Sequence, residues 1–187
     1  MTEMIKDGYG RSYLAKVNKI NQLHVASVNV SMEHFANHIY GKAWNILFDT
    51  SVAAGSDKCF FYLKNNGNKS LIFEGITIRC SSNCVIYGHF NPIGTPLGVS
   101  ACTVANLNIG SNNIPDADIY YGSDITGLTN GSLFIKGHFA SSNQSIHMNF
   151  NADIIIPSNG IVTMYTETGG FDISVILIGY EDIEGEI

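Results

Sequence analysis

Charge is scarce in this 187-residue chain, with Asp, Glu, Lys and Arg making up 14% of it, against about 25% in an average soluble protein. The deficit is deepest in basic side chains beyond residue 79. There Lys136 stands alone against ten acids, and the whole chain carries a net charge of −6. A field of that sign argues against nucleic acid as a direct partner. Long apolar runs are missing too. VILIG at 175–179 is a strand-length stretch, well short of the ~18 residues a membrane helix needs, so no membrane partner is expected. The opening residues MTEMIKDG contain no apolar core of a secretory signal, which leads us to expect synthesis in a cytosol. Cysteine is limited to Cys59, Cys80, Cys84 and Cys102, and only Cys80 and Cys84 lie close, separated by SSN. That spacing is not the C-x₂-C of a zinc site. A Cys80–Cys84 disulfide is sterically conceivable across a turn, but cytosolic synthesis makes reduced thiols the default.

Catalytic signatures are equally thin. The sequence has no G-x-S-x-G, no phosphate-binding glycine loop and no H-E-x-x-H. His34 and His38 stand four apart without the glutamate a metalloprotease helix would place between them. A metal-binding double-sheet barrel would want an H-x-H pair on one strand, and none occurs. His138 shares strand parity with Lys136, and His147 with Asn149, opposite the apolar pairs Leu133/Ile135 and Ile146/Met148. Both histidines are therefore expected to face solvent or an interface. Asp116, Asp118 and Asp124 miss the spacing of a calcium loop and read as acidic turn residues. No catalytic residue, metal or cofactor is expected.

What the chain has in quantity is strand and turn. Segments 44–50, 58–64, 70–80, 83–90, 100–110, 132–139, 144–150, 152–157, 160–168 and 171–180 are rich in β-branched and aromatic residues, and Gly, Asn, Ser and Pro punctuate them. In SLIFEGITIRC (70–80), Ile72, Ile76 and Ile78 are expected on one face and Thr77 and Arg79 on the other. NNGN at 65–68 is a strong turn sequence. SMEHFANHIYGKAW (31–44) is the best helical candidate, at most a short helix or an irregular crossover. Strands of this number, length and spacing predict an all-β protein, an antiparallel two-sheet sandwich of the jelly-roll kind. The stretch 109–131 is too long for a simple hairpin and is expected to project as a loop. Its Tyr120 and Tyr121 are candidates for protein or carbohydrate contacts.

The first thirty residues differ from this body. DGYGRSYLAKVNKINQLHVASV (7–28) mixes Gly, Tyr, Asn and Lys with little alternation. The apolar parity then slips between Leu23/Val25 and Val28/Val30, predicting a bend near Ser27. We read residues 1–30 as an extended N-terminal arm with its first strand, and 31–187 as the sandwich body. Lys6, Tyr9, Arg11, Tyr13, Lys16 and Lys19 are the candidate docking residues of that arm, its cations for an acidic surface and its tyrosines for grooves.

Taken together, DGYGRSYLAKVNKINQLHVASV, CFFYLKNNGNKSLIFEGITIR, GTPLGVSACTVANLNIGSNN, GSDITGLTNG and GGFDISVILIGY resemble small virion structural proteins of tailed bacteriophages, over nearly the whole chain. The resemblance implies a non-enzymatic part of the virion, made in the host cytoplasm. Its partner would be the major capsid protein or another virion protein. The expected role is a capsid decoration, or cement, protein that binds the lattice as a homotrimer and stabilises the head. The alternatives are a neck, tail or fibre-base structural protein, and a carbohydrate- or receptor-binding module using 109–131.

Overall fold

The structure, a computed structural model, describes residues 4–6, 12–14, 37, 40–129 and 131–182, with backbone alone for 4–6, 12–14 and 151–153. The chain divides into two compact units, Met1–Ser31 and Met32–Ile187. In the first, β1 (Met4–Lys6) pairs antiparallel with β2 (Ser12–Leu14), Ile5 opposite Tyr13. The arm expected to be extended thus doubles back on itself here. Among the candidate docking residues, Lys6 and Tyr13 lie on this strand pair. Tyr9, Arg11, Lys16 and Lys19 lie outside the described residues, as do the bend near Ser27 and all but residues 37 and 40–44 of the helical candidate.

The second unit is built from antiparallel strands in two packed layers. Eight principal strands carry it: β3 (Ala43–Val52), β4 (Ser56–Asn65), β5 (Leu71–Cys80), β6 (Cys84–Phe90), β12 (Ser132–Phe139), β13 (Gln144–Ile156), β14 (Ile161–Thr168) and β15 (Phe171–Glu181). One layer has the order β3-β15-β5-β13 and the other β4-β14-β6-β12. Successive strands therefore change layer at every step except β6 to β12. Between those two, residues 91–131 insert β7 (Gly94–Leu97), β8 (Ser100–Ala101), β9 (Thr103–Asn106), β10 (Ala117–Tyr121) and β11 (Thr126–Leu128). β10 and β8 extend the first-named layer's partner beyond β4, giving six strands, while β9 extends the other layer beyond β3, giving five. β7 and β11 pair as a separate ribbon.

Alternation explains the core. On β3, Trp44, Ile46, Phe48 and Val52 are buried, whereas Leu47, Asp49 and Ser51 face outward. They meet Val175 and Leu177 of β15, Phe73, Ile76 and Ile78 of β5, and Phe61, Leu63, Val162 and Met164 of the opposite layer. Phe48 bridges the layers, stacking on Phe61 at 5.5 Å between ring centroids and on Tyr121 at 5.4 Å. Each of these large side chains contributes roughly 1.5–3 kcal/mol by leaving water.

Three expectations need correction. Ile72 does not share a face with Ile76 and Ile78. The β5–β15 ladder steps from Gly75 opposite Ile178 to Phe73 opposite Gly179, so Glu74 is an extra residue. This bulge reverses the parity upstream: Leu71 and Phe73 turn inward, and Ile72 packs beside Ala43 and Tyr180. A similar register shift on β12 leaves Leu133 exposed and sends Phe134 against Phe90, their centroids 4.0 Å apart. Segments 144–150 and 152–157 form one strand, β13, with an irregularity between Asn149 and Ile154. The NNGN turn is where it was expected. Asn65, fully buried, pins it by donating to the Lys69 and Ile156 carbonyls (2.7 and 3.0 Å) and accepting from the Gly67 amide at 3.0 Å.

Asparagine does similar work where the chain enters β3. Gly41, at φ +59°, donates its amide to the Asn37 carbonyl. The loop 106–113 then closes over this entry with side-chain bonds. Asn106 donates to the Gly41 carbonyl at 2.6 Å, Asn108 to that of Asn37 at 3.0 Å, and Asn113 to that of Tyr40 at 3.0 Å. The polar, uncharged stretch NLNIGSNN is thus a clasp of amide side chains replacing a regular ladder.

Candidate functional site

The expected projecting loop 109–131 contains two strands, β10 and β11, that pair with the rest of the body. β10 lies in the six-stranded layer between β4 and β8, so Tyr120 and Tyr121 point to opposite faces. Tyr121 turns inward onto Phe48. Tyr120 turns outward and stacks on Tyr62, with centroids 6.1 Å apart and rings 19° from parallel. Asp118, expected in a turn, is a strand residue opposite Lys64. Asp124 forms a 2.6 Å ion pair with Lys58, and the Asp116 carbonyl accepts the amides of Asn66 and Gly67.

The outer face of this layer is covered in part by the insertion. Ladder registers align Ala101, Tyr120, Tyr62, Thr163, His89 and Leu133 in one row across five strand pairings. A neighbouring row carries Cys59, Tyr165, Tyr87 and Lys136. Over them the segment 122–125 is tied down by backbone bonds from Gly122 to Phe60 and from Ile125 to Cys59, and Ile125, Val99 and Leu128 pack against Cys59, Tyr62 and Tyr165. This cover is why CFFYL of β4 is buried on both faces. An uninterrupted apolar run in the sequence carries that signal.

His89 sits edge-on to Tyr87 and Tyr165, at 5.3 and 5.2 Å between centroids. Burial holds its imidazole below the ordinary histidine range. Burial likewise raises the Tyr165 phenol and pushes the Cys59 thiol up to about 12. Tyr87 is raised by burial and by its hydrogen bond to the Asp57 carboxylate. His89 Nδ1 is buried without a hydrogen-bond partner, and the buried Thr163 and Tyr165 hydroxyls make no well-aligned hydrogen bond, although they interact with one another and Tyr165 also with the Cys59 thiol. Sequence reasoning missed this group, since His89 reads only as a strand-end residue. The Y-x-H and T-x-Y parity on two strands is the signal that was there to use.

Beside this band lies an open cleft of about 300 Å³. Tyr62, Lys64, Asp118 and Tyr120 line it from the paired strands β4 and β10; Gly94, Thr95, Pro96 and Val99 line it from the other side. The ribbon wall is fixed by close backbone approach. A Cβ on Gly94, at φ +132°, would lie 2.0 Å from the Gly127 carbonyl oxygen, and one on Gly127, at φ +80°, 2.4 Å from that of Thr95. Only glycine fits at either position.

Other candidates disperse. His138 and His147 are exposed, as expected, and His147 Nδ1 lies 2.9 Å from Thr77 Oγ1. All four cysteines are free. Cys80 and Cys84 flank the β5–β6 turn, buried, with the Cys80 thiol donating to the Cys84 sulfur; that bond raises Cys80 and lowers Cys84. Among the described residues no cluster of three or more His, Cys, Asp or Glu side chains has metal-binding geometry, and no helix is long and apolar enough to cross a membrane. Comparison with protein-family models, curated proteins and solved structures finds no match to this chain.

Proposed function

We propose that this chain is a structural protein of a tailed-phage virion, a capsid decoration protein that acts as a homotrimer on the head lattice. The observation that carries the reading is the resemblance of its sequence segments, from the glycine-tyrosine start to the last strand, to such proteins. The fold is compatible with it. Two layers ordered β3-β15-β5-β13 and β4-β14-β6-β12 suit a jelly roll, the double-sheet plan used by viral coat domains and also by lectins. We read the body as a jelly roll on that order. The insertion supplies the contact surface in this reading. Among the described residues, four of the eight large apolar side chains left exposed, Ile93, Leu97, Ile109 and Ile114, belong to it, and contiguous exposed apolar surface is what marks interaction sites.

In this reading the basic first unit reaches an acidic capsid surface, and three arms per trimer add their weak contacts through effective concentration. Deleting residues 2–22 is expected to leave a folded body that no longer binds capsids; unchanged occupancy on particles would remove the arm's role. Copy number tests the function itself. Hundreds of copies per particle, with antibody label over the whole head, support decoration. Roughly a dozen copies or fewer, labelled at one vertex, would replace it with a neck, tail or fibre-base role.

A further inference from the structure

The cleft beside Tyr62 and Tyr120 has the makings of a ligand site that the virion reading leaves unused. We propose that it binds a neutral saccharide, a hexose or N-acetylhexosamine, on the Tyr62, Lys64, Asp118 and Tyr120 side chains. Four observations point there. Its volume of about 300 Å³ is at the small end of ligand pockets and suits one pyranose ring. Its donors and acceptors are balanced: the Lys64 ammonium only donates, the Asp118 carboxylate only accepts, and each phenol does both. An anionic ligand would face Asp118, and a cationic one Lys64. A sugar hydroxyl can donate to the first and accept from the second, and the site offers both within one ladder step.

The third observation is apolar surface. The half-buried Tyr120 ring, backed by the buried and near-parallel Tyr62 ring, and Pro96 offer aromatic and aliphatic carbon to the C–H groups of a pyranose. The fourth is rigidity. The floor is two hydrogen-bonded strands, and the facing ribbon is held by the Gly94–Gly127 approach, so little ordering is required on binding. The Tyr120 hydroxyl reaches Asp118 Oδ1 at only 3.5 Å, a long bond that a ligand hydroxyl can displace. Burial and the Asp118 carboxylate raise the Tyr62 phenol, keeping it protonated as a donor. This inference is independent of the virion assignment.

The test titrates the full-length protein with glucose, galactose, mannose, N-acetylglucosamine and N-acetylgalactosamine, followed by ¹H–¹⁵N chemical shifts and saturation-transfer NMR. At least one sugar is expected to bind saturably in the millimolar range, as befits a small ligand on an open cleft. The shifts should centre on Tyr62, Lys64, Thr95, Asp118 and Tyr120. Asp118→Asn, which keeps the side-chain shape, should weaken binding by about tenfold, as loss of a charge-assisted hydrogen bond does, and Tyr120→Ala should abolish it. Ser145→Ala, on the opposite layer, should leave it unchanged. If Tyr120→Ala fails to fold, Tyr120→Phe tests the hydroxyl alone. The proposal is overturned if none of the five sugars binds at roughly 50 mM, or if shifts map elsewhere. It is equally overturned if Asp118→Asn and Tyr120→Phe both bind like the parent, or if a sulfated sugar binds more tightly than its neutral counterpart.

Discussion

Two threonines on one strand should respond to the same substitution with opposite signs. Thr163 and Thr166 both lie on β14, and both are fully buried. The Thr166 hydroxyl donates to the Thr168 carbonyl, whereas Thr163 Oγ1 makes no well-aligned hydrogen bond and interacts only with the neighbouring Tyr165 hydroxyl. Valine has the shape of threonine with a methyl in place of the hydroxyl, and it suits a strand interior. At Thr166 the change loses a bond and strands a carbonyl, costing about 1–2 kcal/mol. At Thr163 it removes a poorly paired polar group from an apolar site, which should stabilise the protein by about 1 kcal/mol. The gap of about 2–3 kcal/mol is well outside the error of urea titration. It should also separate the melting temperatures of the two variants, by roughly 2–4 °C for each kcal/mol in a chain of this length. Tyr165→Phe should follow Thr163→Val in sign, and the double variant measures coupling between these neighbours. If Thr163→Val destabilises as much as Thr166→Val, the hydroxyl is bonded in solution, for instance through a water shared with His89 Nδ1 and Tyr165, and the reasoning fails.

Further outcomes follow from other buried polar groups. Asn65→Ala removes three hydrogen bonds and should cost about 3 kcal/mol. Asn65→Asp aims a carboxylate at two carbonyl oxygens, so its protonated form is favoured in the fold, and the variant should lose stability as pH rises from about 4 to 7. Equal stability at both pH values would contradict that placement. His89 behaves in the opposite sense. Its folded-state pKa is depressed below the ordinary 6.5, so the unfolded chain takes the proton first as pH falls. The contribution is complete above about pH 6.5 and is lost below it. Urea midpoints of His89→Gln should therefore vary less than those of the parent between about pH 7 and 5; parallel profiles would count against a buried neutral imidazole.

The strands of the body were legible because β-branched and aromatic runs alternate cleanly between Gly and Asn turns, and 132–139 and 171–180 match β12 and β15 almost residue for residue. The insertion was legible only in part: 100–110 reads as one strand, and it divides at Cys102 into β8 and β9 in different layers. Its strands are two to five residues long, too short for alternation to show, and GSDITGLTNG reads as loop although Thr126–Leu128 pairs with β7. Face assignments failed where a single bulge reversed parity, at Glu74 and near Phe134. A bulge has no compositional mark when neither residue is glycine in the left-handed region. The candidate site was half visible. Tyr120 was singled out, but its partners Tyr62 and Lys64 lie over fifty residues away, joined to it only by β4–β10 pairing.

The way β8 runs into β9 has a consequence for how many neighbours the body can pair with through its backbone. At Cys102, whose amide donates to the Ile119 carbonyl, the chain passes from one layer to the other, so the two layers share a seam on that side. The strands bordering the seam are two and four residues long. On the far side β12 and β13, eight and thirteen residues long, border both layers. Within the described body, strand addition is therefore directed to one flank, where each layer ends in its own long edge strand. With the opposite flank closed by the crossing chain and its short strands, copies that add strand to strand meet flank to flank and leave no long edge facing outward on the other side.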